Sequence, residues 1–125
     1  MTTQLACIVQ RFLTIQIQVK TFHWQTYSYS RHKSTDALFE NLLELVDQFV
    51  ETYMGMTEKR LEFKRPCPSI RLENISEKKI VHVLKQFAIF LTKLDSNKEM
   101  TSDLLNIRDE VLGTVHQTLY LLTLK

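Results

Sequence analysis

Apolar residues recur at gaps of three and four along most of this chain, the period of an amphipathic helix. Leu5, Ile8, Phe12, Ile15, Val19 and Phe22 form one such row and predict a first helix from Gln4 to Gln25. Within it TIQIQV alternates apolar and polar like a strand, but its flanks keep the helical period. The polar, β-leaning TYSYSR then breaks the pattern and reads as a turn. Two apolar rows follow: Leu38, Leu42, Leu45 and Phe49 beside Phe39, Leu43, Val46, Val50 and Tyr53. They predict a second helix from His32 to Lys59 that needs neighbours on more than one side. Ser34 or Thr35 would cap its start, with Asp36 favourable in the first turn, and Gly55 would loosen its last turn.

Pro66 and Pro68 exclude a regular helix through residues 60–75, RLEFKRPCPSIRLENI, a connection well above ordinary loop length. The period resumes with Ile80, Val83, Leu84, Phe87, Leu91 and Leu94, a third helix from an N-cap at Ser76 to Leu94. After the polar turn DSNKEMTS, Leu105, Leu112, Val115, Leu119 and Leu122 predict a fourth helix from Ser102 to Leu124. Short links make the first two and the last two helices antiparallel pairs. The long link reaches over about 50 Å when extended, so the second and third helices can run the same way. The expected fold is all-α, a ferritin-like four-helix bundle with one long crossover between helices 2 and 3.

Composition narrows the classes. At 125 residues one domain is expected, able to bury roughly two-thirds of its unfolded surface. A net charge of +2 creates no global field for nucleic acid or anionic membrane. Two glycines and two prolines are too few for a turn-rich β fold, and a phosphate-cradling glycine loop is excluded. No apolar run is long enough to span a membrane, and MTTQLACIVQRF does not read as a secretory signal. Cys7 and Cys67 are not spaced as a metal knuckle or redox motif and are expected to be reduced, in a cytoplasm-like compartment.

Chemistry concentrates between residues 23 and 51. Asp36, Glu40, Glu44, Asp47 and Glu51 share one helical stripe, and no Lys or Arg lies between 36 and 51. Like charges at i,i+4 repel mildly, so the stripe is either a solvated face neutralised by a neighbouring element or a ligand set. His23 closes the first helix, and next to Trp24 a packed imidazole is the commoner reading. His32 and Asp36 are i,i+4, as are Asp47 and Glu51. Imidazole with carboxylate suits iron(II), zinc or manganese. Asp36 and Asp47 lie about 16 Å apart along one helix, so one ion cannot bind both from one chain. Two antiparallel copies of the helix across a two-fold axis would set His32 against Glu51 and Asp36 against Asp47 of the other copy.

The sequence here resembles the Dps family of ferritin-like mini-shell proteins. The resemblance rests on His23-Trp24, His32, Asp36, Asp47 and Glu51, over residues 12 to 54. It implies a ferroxidase site between two subunits whose metal ligands are His23, His32, Asp36, Asp47 and Glu51. It also implies non-haem iron or another divalent metal, a homo-oligomer of at least a two-fold dimer, and a dodecameric shell where closure is complete. The chain departs from the family in a shorter His23-to-His32 connection, a shorter length and the lack of a Lys-rich N-terminal tail. HWQTYSYSRHKS, LVDQFVETYMG, NIRDEVLG and QTLYLLTLK resemble small Dps-like proteins of large DNA viruses and phages, which implies a host cell or virion as its setting.

Two other classes stay open. One is a structural or virion-associated bundle with a vestigial metal site. The other is a DNA-associated protein using the basic crossover, where Lys64, Arg65 and Arg71 stand among Lys59, Arg60, Lys78 and Lys79. On the fourth helix Asn106, Asp109, Glu110, Gly113, His116, Gln117 and Tyr120 form a second polar stripe, read as hydrogen-bonded or solvated surface, and His82 is read as structural.

Overall fold

A computed structural model describes residues 5–64, 66–67 and 70–124. Among these residues there are four α-helices, one short 3₁₀ turn and no strand: α1 Leu5–Gln25, α2 Tyr29–Thr57, α3 Glu77–Lys93 and α4 Ser102–Leu121. No described helix is long and apolar enough to cross a membrane.

The helix ends follow local chemistry. Ser28, not Ser34 or Thr35, caps α2: its hydroxyl accepts from the Arg31 N–H, and Tyr29–Arg31 join the helix instead of the turn. Thr35 is buried and donates to the Arg31 carbonyl. At its far end Glu58 takes a left-handed conformation (φ 58°) and its N–H bonds the Met54 carbonyl, so α2 stops short of Lys59 without using Gly55. Ser76 caps α3 as its position predicts, its hydroxyl accepting from the Lys79 N–H. The expected first residue of α1, Gln4, lies outside the described residues, as does Pro68.

α1 packs on α2 and α3, and α4 packs on α2 and α3, so α2 and α3 face each other across the diagonal. Hydrogen bonds at one end fix the directions. The Arg31 guanidinium, at the start of α2, donates to Glu77 at the start of α3 (2.5 Å) and to the Leu122 carbonyl at the end of α4 (2.9 Å). The Gln25 amide, at the end of α1, donates to Asn74 and accepts from the Ile75 N–H, both at 2.9 Å. The starts of α2 and α3 therefore share an end with the finishes of α1 and α4. α2 and α3 run parallel, and the connection over residues 58–76 travels the length of the bundle.

The core rows on α1 and α3 are those the periodicity marks. Phe12 sits at the centre, edge-on to Phe49 (5.1 Å) and Phe87 (5.9 Å). On α4 the expected face is displaced. Leu104, Ile107, Val111, Val115 and Leu122 are buried, whereas Leu105, Leu112 and Leu119 are only partly covered. The buried row also holds Arg108 and Thr118, polar residues that hid it in the sequence. Arg108 is satisfied by the Leu91 carbonyl (2.7 Å), Asp95 and Asp109. Those carboxylates keep its guanidinium charged despite the cost of burial.

The expectation of two reduced cysteines is overturned. Cys7, in the first turn of α1, is joined to Cys67 of the crossover by a disulfide, with Cα atoms 5.6 Å apart. Their separation of 60 residues in sequence gave no hint of this closeness.

Candidate metal centre

The α1–α2 turn is tight because each flanking histidine is tied to the other's backbone. His23 Nδ1 bonds the His32 carbonyl at 2.8 Å, and His32 Nδ1 bonds the His23 carbonyl at 2.9 Å. The two rings stack with centroids 3.8 Å apart and planes 17° from parallel. A carbonyl oxygen can only accept, so both Nδ1 atoms are donors. In the neutral ring this leaves the lone pair on Nε2, the atom then free to bind a metal. Fixing a ligand tautomer through the other ring nitrogen is what outer-sphere hydrogen bonds do at metal-binding histidines.

Asp36, one turn into α2 from His32, turns toward this pair. His23 Nε2 lies 3.8 Å from its carboxylate, and Lys20 Nζ lies 3.6 Å from the same oxygen. His23 is 7% exposed, while the Asp36 side chain is 44% exposed. Lys20 also lies over Phe39, 4.7 Å from the ring centre, and over exposed Trp24 at 5.9 Å. Sequence reasoning did not single out Lys20. Its spacing of one turn before His23 was the available signal. Gln16, one turn earlier still, is buried, and its amide oxygen has no hydrogen-bond partner among the described residues.

Asp47 and Glu51 are exposed farther down α2, with Asp47 about 16 Å along the axis from Asp36. Glu40 and Glu44 are exposed between them. His23 is thus brought against both His32 and Asp36, while Asp47 and Glu51 stand apart. Among the described residues no group of three or more His, Cys, Asp or Glu side chains is placed to hold a metal ion within one chain.

The crossover residues stand apart. Lys64 pairs with Glu62 at 3.2 Å in an open cavity of about 670 Å³ shared with Lys59, Arg60 and Glu99. Arg71 is exposed, and Arg65 lies outside the described residues. On α4 Asp109 serves Arg108, and Asn106, Glu110, His116, Gln117 and Tyr120 are exposed. His82 is exposed and lines the α1–α3 groove.

The chain is therefore an all-helical bundle with a rigid histidine pair at the turn between its first two helices. It belongs to the family of unknown function DUF5856, whose pattern matches residues 23–122 and so begins at the first of these histidines. An uncharacterised 14.6 kDa protein from the mobD-ri intergenic region of enterobacteria phage T4 is 30% identical over 113 residues, covering 90% of this chain and 83% of that protein. No solved structure matches the chain.

Proposed function

We propose that this protein is a ferritin-like, Dps-like oligomer that binds iron(II) between two subunits and oxidises it. The observation that carries the reading is the reciprocal histidine lock. Both Nδ1–H groups are committed to carbonyls, which leaves both Nε2 lone pairs free, with that of His23 3.8 Å from the Asp36 carboxylate. That donor set suits a divalent transition metal. The parallel α2 and α3 with one long crossover also fit a ferritin-like connection.

His23, His32 and Asp36 hold the ion from one side, and Asp47 and Glu51 of a two-fold partner close the site. The acidic stripe of α2 has no base between 36 and 51, so cations held between two paired copies would relieve the repulsion of their carboxylates. The carboxylates neutralise the ion and favour its higher charge. Electrons from iron(II) pass to dioxygen or peroxide, and a closed shell would keep the oxidised iron inside. The phage relative supports an infected cell as the setting.

A second reading has one observation in its favour. Lys20 already neutralises Asp36 at 3.6 Å, as in a structural bundle whose ligand set is vestigial. Aerobic iron(II) oxidation by the purified protein, with bound metal counted per chain, separates the two. Wild type is expected to oxidise iron well above background. Asp47→Asn, at an exposed position outside the core, is expected to abolish this while the oligomer persists. A wild type that neither binds nor oxidises iron would sink the iron reading and leave the structural one.

A further inference from the structure

We propose that the α1–α2 end of the bundle is a stacking platform for single-stranded DNA. This inference does not rest on the metal reading. Trp24, Tyr27 and Tyr29 fall within six residues of one another, and all three are exposed, Tyr27 completely. Isolated exposed aromatics are ordinary, but three on one turn are a patch.

The rings are also ordered. The Tyr29 ring lies near-parallel to His32 with centroids 6.4 Å apart, and His32 stacks on His23 at 3.8 Å. The reciprocal histidine bonds anchor the His23 and His32 rings to the backbone, so Tyr29 stands beside a fixed neighbour. Lys33 Nζ lies 6.0 Å from the Tyr29 ring centre.

Charge favours a phosphate-bearing partner. Residues 24–35 include Arg31 and Lys33 and no Asp or Glu. The same end of the bundle receives the start of α3, with Lys78 and Lys79. Glu77 there is occupied by Arg31 and Thr26, and Glu73 by Lys79. Lys33 and exposed Lys78 are left to meet a backbone. Exposed aromatics beside cations bind single strands by stacking bases and pairing phosphates, largely independent of sequence. Neither contact needs a 2′-hydroxyl, and duplex DNA hides the base faces that the rings require.

The test is fluorescence anisotropy of a labelled twenty-nucleotide oligo(dT), with metal-free full-length protein, at several salt concentrations. Wild type is expected to bind with an affinity that falls as salt rises. Tyr27→Ala/Tyr29→Ala is expected to weaken binding by at least about tenfold, with an unchanged melting temperature because both rings are exposed. Lys33→Gln/Lys78→Gln is expected to reduce the salt slope by about 1.4, because two phosphates are no longer neutralised by the protein. The proposal is overturned by absent binding at low salt, by binding that the tyrosine variant leaves intact, or by a duplex bound as tightly as the single strand. Oligo(rU) bound tenfold more tightly than oligo(dT) would overturn the assignment to DNA.

Discussion

Opening the Cys7–Cys67 bond tests what the crossover contributes. The bond closes a loop of 60 residues. In the chain-entropy picture such a closure removes about 14 cal/mol/K from the unfolded ensemble, or about 4 kcal/mol at 25 °C. The native side of the balance changes little. Nearly all buried apolar residues sit on the helices, and the described crossover adds only Ile75 to the fully buried set. Reduction therefore acts mainly on the unfolded chain. At about 2.1 cal/mol/K per residue, a chain of this length has an unfolding entropy near 260 cal/mol/K, so losing 4 kcal/mol lowers Tm by about 15 °C. Thermal and urea unfolding with and without a phosphine reductant measure this, and Cys67→Ser should reproduce it. Far-UV circular dichroism of the folded protein should not change. A Tm shift under about 3 °C would refute the entropic reasoning. Two titratable thiols in protein purified without reductant would refute the pairing itself.

Three more predictions rest on particular side-chain pairs and packing. Lys20→Met removes the ammonium that competes for Asp36 and should tighten cobalt(II) binding about fivefold, the scale of one partly exposed ion pair; unchanged or weaker binding in a spectroscopic titration would count against competition. Phe12→Ala, at the meeting of Phe49 and Phe87, should cost about 3–5 kcal/mol in urea unfolding, and a cost under about 1 kcal/mol would mean that the ring is not central. Glu73 is held below its ordinary value of 4.5 by the hydrogen bond and charge of Lys79. Because the folded-state value is the lower one, its contribution is complete above pH 4.5 and is lost as pH falls through that lower value. Carbon-detected NMR titration should show a Glu73 midpoint below 4.5 that returns toward 4.5 in Lys79→Met; a wild-type midpoint at or above 4.5 would contradict the pairing.

The sequence by itself determined the four helices, because burying one stripe of a helix demands apolar residues every three or four positions. It determined the long connection too, since Pro66 cannot donate the hydrogen bond that a helix needs. It marked His23, His32 and Asp36 by residue type and spacing. On α4 periodicity pointed to the row of Leu105, Leu112 and Leu119, because Arg108 and Thr118 interrupt the row that is buried. Packing against α2 and α3 selected the row with Leu104 and Val111, and bonds from α3 and its following turn made buried Arg108 acceptable.

Only the tertiary structure decided the Cys7–Cys67 pairing, the placing of Lys20 on Asp36 and the carbonyl partners of the two histidines. Each joins residues brought near by the antiparallel docking of α1 on α2 or by the path of the crossover. A helix repeats every few residues and writes its own period into the chain. A contact between two elements depends on their register, which is set by the whole core at once.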